Sequence, residues 1–401
     1  MTQIIPNLKH RNKKEKCFLF LAISSIGFAV LFLILLISAI FFKGYNGFFV
    51  TKIQLNIPLQ ILEQKNPNYR EIIKDELKII ANKLNITEPF ELNQIYQLIS
   101  KISNLELEEQ HIKNPTSDKF WLLASSKIDS FVKYDEENNL SETQLKFINY
   151  LKSNQLLQTK FNLNFFTNTD SRQPEIAGIF SSLMGSLFMM LVFLVCALPI
   201  AIFCAFYLEE FAKKNKFTDF IEISINNLAG IPSIIYGLLG LTLYLQILHL
   251  PRSSTLVGGL TLFMLVLPVI IIATRNTIRT IPSSIRDGAL AIGASKIQLI
   301  WHHLLPLSIP GIMTGTILAI SRAIGETAPL LMIGMVAFIA DAPSSILDPT
   351  SALSVQIYLW SDLPEQGFVE KTSAGIIVLI GLLILLNLGA IILRKKFEKK
   401  W

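Results

Sequence analysis

The sequence predicts an all-α integral membrane protein: six transmembrane helices, both termini cytoplasmic, and a mainly helical or α+β insertion outside the membrane. Three observations lead there. The 401 residues are 51% hydrophobic and only 16% charged, with a mean hydropathy of +0.48, too apolar for a soluble domain. Six stretches lack Asp, Glu, Lys and Arg, and each exceeds the roughly 18 residues that mark a membrane-span candidate. The short segments flanking them carry charge of opposite sign on the two sides.

The first stretch, Cys17 to Phe42, follows Lys9, Arg11, Lys13, Lys14 and Lys16. It is longer than the roughly 7 to 15 apolar residues of a signal-peptide core, and no A-x-A site follows, so it reads as an uncleaved anchor. Residues 1–42 thus form a basic cytoplasmic tail and first span. Residues 43–175 are hydrophilic with near-balanced charge and regularly spaced Leu, Ile and Phe, which describes a folded domain rather than a disordered linker. Helical periodicity is expected over Asn68–Leu84, Glu91–Ser103 and Ser141–Gln155, the last opening with a Ser141/Gln144 capping box. FFVTKIQLNIP and TKFNLNFF, at the two ends, alternate like strands. Asn85-Ile86-Thr87 fits a glycosylation triplet, but three residues are a weak signal.

Residues 176–401 hold the other five stretches: Ile176–Leu208, where Pro199 is expected to kink the helix, Ile223–Pro251, Ser253–Thr274, Ile297–Ser321 and Thr372–Leu393. In the third span, NNLAGIPSIIYGLLG, small residues permit close packing, and Pro232 frees a carbonyl that could face a pathway or simply be packed away. Pro306 and Pro310 argue against one straight helix through the fifth stretch, so the fifth span is expected from about Gly311, past Arg322, to about Ile339. Basic residues cluster at 213–216 and 394–400, whereas Asp341 to Glu370 holds five acidic residues and no basic one, so both termini are expected inside. The net charge of +6 and pI near 9.0 sit in tails facing anionic lipid and require no nucleic-acid partner.

Several chemistries lack support. No G-x-x-x-x-G-K-[ST] motif occurs, so any ATP must be bound by another subunit. Cys17, Cys196 and Cys204 have neither metal-ligand nor disulfide-framework spacing, and adjacent His302 and His303 point about 100° apart on a helix, so no metal or cofactor is expected. Catalysis of covalent chemistry is not expected either.

The informative segment runs from Ser283 to Leu331. Asp287-Gly288-Ala289, then Gly293, then Leu305-Pro306 put small residues where a short helix could seat in a groove, a glycine where a bend is possible, and a proline before the next span. Arg322 and Glu326 then follow four residues apart, near enough to pair on one helix face. An unpaired charge would cost at least about 2.5 to 3.5 kcal/mol on insertion scales. Arg322 could offer its planar, permanently charged fork to an oxyanion, with Glu326 restraining the affinity, or the two could be a structural ion pair; both readings predict burial and pairing.

The Asp287 to Pro306 spacing matches the EAA loop of ABC importer permeases, with Asp, Gly288 and His303 in place of that family's usual Glu, Ala and Ile. Together with NLAGIPSIIYGLLG, AISRAIGETAPLL, FFTNTDSRQPEIAGI, YLEEFAKKN, LPRSSTLVGGL, MIGMVAFIADAP and VQIYLWSD, the chain resembles the PstA-type permeases of phosphate ABC importers over essentially its whole length. The resemblance implies a type I, MetI-like core in the bacterial inner membrane and a periplasmic domain at 43–175. It implies as partners a homologous PstC-type permease, two PstB-type ATPase subunits and a PstS-type phosphate-binding protein. It also implies a phosphate pathway through Arg322, Glu326 and Thr327, with Arg275 a weaker candidate. ATPase coupling would run through 283–310: Asp287, Gly288, Ala289, Gly293, Leu305 and Pro306. Another oxyanion, molybdate or sulfate, is the alternative cargo, and a membrane sensor with an external domain is the alternative class.

Overall fold

A computed structural model describes residues 8–62, 67–135, 140–339 and 341–397. The expected basic residues Lys399 and Lys400 lie outside these residues, as does the side chain of Lys9.

The first helix, Leu8–Tyr45, passes through a single 3₁₀ turn directly into β1, Phe49–Asn56. β1 is central, antiparallel to both β2 (Lys119–Leu123) and β3 (Leu157–Phe161), in the order β2-β1-β3. Its Ile53 and Leu55 are fully buried among Ile73 and Leu77 of helix Tyr69–Lys83, Ile128 of Ser126–Tyr134, and Phe147 and Ile148 of Glu142–Ser153. Each such side chain stabilises by about 1.5 to 3 kcal/mol. The first strand-like end and the capping box appear as expected: Ser141 Oγ accepts from Gln144 N, and Gln144 Oε1 accepts from Ser141 N; the second end is a strand only to Phe161 and then a short helix, Asn164–Thr167. The helix expected over 91–103 is instead split. It stops at Tyr96, Ile99 bridges to Ala124, and a new helix runs Ser103–Lys113. Backbone bonds from Ser100 N to Leu123 O and from Ser125 N to Leu98 O show the cause, the end of β2 outcompeting helix continuation.

This domain is joined to the N-terminal end of the last helix, Gln366–Phe397. At Gly47 a Cβ would lie 2.7 Å from the Glu370 carbonyl oxygen, so only glycine allows the approach. Lys133 Nζ donates to Asp129 (2.5 Å), Glu370 (2.9 Å) and the Phe49 carbonyl (2.9 Å), tying domain to span. Lys371, 5% exposed, lies 4.7 Å from the Phe165 ring centroid. Beyond this junction the first helix stands largely exposed on an apolar surface suited to lipid.

Among the described residues, five helices are long and apolar enough to cross a membrane, and a bent pair makes a sixth if its two halves count as one span. The second span, Phe180–Phe206 with Pro199 inside, ends in a π-helical turn, Tyr207–Phe211. It packs against the fourth, Thr255–Thr280, so closely that a Cβ on Gly259 would sit 2.6 Å from Val192 Cβ. The domain at 43–175 sits at the N-terminal end of the last helix, through Gly47 and Glu370, and the 283–310 loop sits at the C-terminal end of the second span, where Glu210 holds Arg286.

Two spans depart from expectation. The third is no single helix: Lys216–Ala229 and Ser233–Ile247 meet at 102°. Pro232 has no N–H to continue the ladder, and the Tyr236 hydroxyl donates to the Leu228 carbonyl (2.7 Å). The packing reading of that freed carbonyl is therefore the one observed. The fifth span runs Lys296–Gly325, not from Gly311 to Ile339. Its π turn, Ile300–Leu304, widens the backbone just before Pro306, so the proline sits in the first turn of Leu305–Gly325 rather than ending the element. At the far end Pro329 cannot donate to the Gly325 carbonyl, and a separate short helix, Ala328–Met332, begins.

Candidate functional site

Arg322 occupies the last turn of the fifth span, and Glu326 lies just past it with extended backbone (φ −76°, ψ 117°). They do not share a helix as the spacing suggests, yet they still face each other, Arg322 Nε 3.5 Å from Glu326 Oε1. Side-chain exposures of 34% and 19% make this a loose, reachable pair. Thr327 follows at the start of Ala328–Met332, its carbonyl accepting from Leu330 and Leu331 N–H. The broken third span meets this segment: a Cβ on Gly237 would come 2.7 Å from Pro329 Cα. Two helix interruptions are thus apposed beside the charged pair. Non-helical backbone at membrane depth is tolerated where protein buries it or where it lines a water-filled path.

Arg275 is placed elsewhere. Gly315 of the fifth span lies against Ala273, and the seven residues from Gly315 to Arg322 rise about 10 Å, so Arg275 sits toward the loop end. Its side chain, 6% exposed, contacts Glu209 (2.7 Å) and Glu222 (2.9 Å). Arg279 binds the same two carboxylates at 3.0 and 2.9 Å. Two guanidinium groups and two carboxylates neutralise one another, joining the second span's end, the helix Lys216–Ala229 and the fourth span.

The 283–310 loop is built as the spacing anticipates, with one change in its second half. Ser283–Ala291 is a helix exposing Asp287, Gly288 and Leu290 while burying Ala289. Gly293, at φ +87°, ends it: Gly293 N bonds Leu290 O and Ala294 N bonds Ala289 O, the paired bonds of a Schellman cap. Ile292 is 84% exposed at the tip. Arg286 anchors the helix by donating to Glu210 (3.0 Å), Ile281 O (2.7 Å) and Ile278 O (2.9 Å). Lys296 reaches the Glu210 carbonyl. Leu305 and Pro306, expected to close the loop, lie inside the continuous fifth helix. His302 and His303 are both exposed, and His302 Nδ1 is 3.0 Å from Gln298 O.

Sequence reasoning missed Glu209, Glu210, Glu222, Arg279 and Arg286. A usable signal was present, since Glu209 and Glu210 follow an apolar stretch while Arg275 and Arg279 close another, which sets unlike charges side by side when the two helices run parallel.

Comparison with known proteins adds the following. Residues 197–401 match a family described as binding-protein-dependent transport system inner membrane component, and residues 6–142 match a domain of unknown function. The chain is 30% identical over 257 residues to the probable ABC transporter permease protein YqgI of Bacillus subtilis (strain 168), covering 60% of this chain and 85% of that protein. It is 32% identical over 206 residues to the phosphate transport system permease protein PstA of Mycobacterium leprae (51% and 66% covered). With the PstA of Xylella fastidiosa (strain Temecula1) identity is 30% over 238 residues (58% and 81%). Among solved structures, an inward-facing form of the MetNI methionine ABC transporter aligns at a TM-score of 0.44 and 17% identity, covering 55% of this chain and 95% of that one.

Proposed function

The chain belongs to the binding-protein-dependent transport system inner membrane component family, and from that premise we propose that it is the permease subunit of an ATP-driven importer of inorganic phosphate. It is a multi-pass membrane protein with a type I importer permease core, and its activity is transport rather than covalent catalysis.

The observation that carries the substrate reading is the contrast at Arg322. The guanidinium groups of Arg275, Arg279 and Arg286 lie 3.0 Å or less from carboxylates, whereas Arg322 has one carboxylate at 3.5 Å and a third of its side chain exposed. A fork in that state can exchange Glu326 for a tetrahedral oxyanion and recover it when the ion leaves. Thr327, the next residue beside the two apposed helix breaks, would supply a hydroxyl. Arg275 belongs in this reading to the closure at the inner end rather than to ion contact.

The working complex pairs this chain, its domain at 43–175 on the periplasmic side of a bacterial inner membrane, with a homologous permease, two ATPase subunits and a periplasmic phosphate-binding protein. Nucleotide-driven motion enters through Asp287, Gly288, Ala289 and Gly293 and passes by Leu305 and Pro306 into the fifth span, whose far end holds Arg322. Alternating access then opens the pair to the outside and to the cytoplasm in turn. Uptake of labelled phosphate by the purified, reconstituted complex tests this. Excess unlabelled phosphate should abolish the signal while molybdate and sulfate leave it intact; displacement by either of those, with none by phosphate, would replace the substrate.

A further inference from the structure

The external domain holds a cleft of about 440 Å³ that the transport reading does not use. It lies among helix Tyr69–Lys83, the bend at 97–103, the starts of helices Ser103–Lys113 and Ser126–Tyr134, and the linker at 172–175. Four cationic side chains line it: Arg70, Lys74, Lys101 and Arg172. None has a carboxylate within 4.0 Å among the described residues. Lys74 lies over the Tyr96 ring and Arg172 over Phe338, uncharged partners that leave both charges uncompensated.

The floor of the cleft is made of hydroxyls. Ser100 is 3% exposed with its hydroxyl turned to the Glu175 carboxyl, whereas Ser125 is 8% exposed and its Oγ has no hydrogen-bond partner among the described residues. Buried hydroxyls normally find partners, so an unsatisfied one in a cationic cleft is a ligand-shaped deficit. Ser125 immediately precedes Ser126–Tyr134 yet does not cap it through its side chain, and Ser103–Lys113 likewise starts without a side-chain cap. Backbone carbonyls of Ser100 and Ile102 take up the Ser103 and Leu105 N–H groups, so it is the first turn of Ser126–Tyr134 that adds unmatched N–H groups and a positive dipole end. Glu175 and Glu365 complete the lining; Glu365 is exposed, and burial pushes the Glu175 carboxyl above its usual range.

We infer that this cleft binds a small multivalent phosphate-type oxyanion, free or esterified, at a site separate from Arg322 and Glu326. The volume lies within the range of about 300 to 1,000 Å³ of small-molecule sites, so a monoester fits as well as the bare ion. Glu175 also borders the cluster of Asp129, Lys133, Glu370 and Lys371, one side chain from the N-terminal end of the last span. The inference stands on the external domain alone and survives a change of transported ion.

The test is equilibrium binding to the membrane-embedded complex in lipid nanodiscs, prepared without the periplasmic binding protein and carrying Arg322→Gln, which silences the transport pair. Inorganic phosphate and glycerol 3-phosphate are titrated separately at fixed ionic strength. Saturable binding of either is the expected result, and the arm that binds more tightly identifies the free or the esterified form. The double substitution Lys74→Gln/Arg172→Gln and, separately, Ser125→Ala should each weaken it at least tenfold. Ligand-free melting curves matching the parent will show that the exposed cations and the single hydroxyl were removed without unfolding. Binding of neither probe, or affinities unchanged in both variants, overturns the inference.

Discussion

Arg275 and Arg322 are both arginines in apolar helices, but the protein treats them oppositely. Arg275 meets two carboxylates at 2.9 Å or less with 6% of its side chain exposed, while Arg322 meets one at 3.5 Å with 34% exposed. The first is a finished network in which every charge is answered on several sides. The second is unfinished, with hydrogen-bonding capacity left over. On the proposed reading, the saturation of its partners and its burial together mark a charge as structural, and their shortfall marks one open to an ion.

The strongest test of that distinction is at the saturated end. Arg275→Gln leaves Glu209 and Glu222 with Arg279 alone, and removing one partner of a buried pair destabilises by about 3 to 5 kcal/mol. The purified complex should lose yield and melt well below the parent, and Glu209→Gln on the same background should recover part of the loss. An unchanged melting curve would mean the Arg275 cluster is not the structural one.

Arg322→Gln should do the reverse. Assembly and melting stay near the parent, because the pair is loose and partly solvated, whereas uptake falls about a hundredfold or more, equivalent to about 2.7 kcal/mol. Near-normal uptake would return the pair to a structural role. A variant that fails to assemble would erase the contrast with Arg275.

How much of this the sequence carried follows the range of the interactions involved. The first strand-like domain end, the Ser141 capping box and the Gly293 bend were legible because each is written in consecutive residues. The split at 97–102 was not, because it depends on Leu98 and Ser100 pairing with a strand end more than twenty residues away. The fifth span was misjudged at both ends for a related reason. Proline rules describe an ordinary α-helix, and the π turn at Ile300–Leu304 changes the backbone they apply to. At the site, the Arg322 and Glu326 partnership was visible as a four-residue spacing, but the partners of Arg275 lie 53 to 66 residues away on other helices.

The saturated cluster and the loop helix are joined at Glu209 and Glu210. Adjacent on the π turn, one holds Arg275 and Arg279 and the other holds Arg286 of the loop helix, so on the proposed coupling route force on the loop would reach the saturated cluster first. Two glycines in that loop sharpen the point. Both have open space around a Cβ, so no contact within the chain requires glycine at either. They differ in backbone: Gly293 sits at φ +87°, where a side chain is strained by about 1 to 2 kcal/mol, and Gly288 lies inside the helix Ser283–Ala291, where alanine is favoured by about 0.5 to 1 kcal/mol. Gly293→Val should therefore lower uptake per ATP hydrolysed several-fold while the ATPase still co-purifies, and Gly288→Ala should leave that ratio unchanged or raise it slightly. Equal losses from the two substitutions would place the effect in contact with the ATPase rather than in the Schellman cap, and force would then not enter the network through the geometry of the loop.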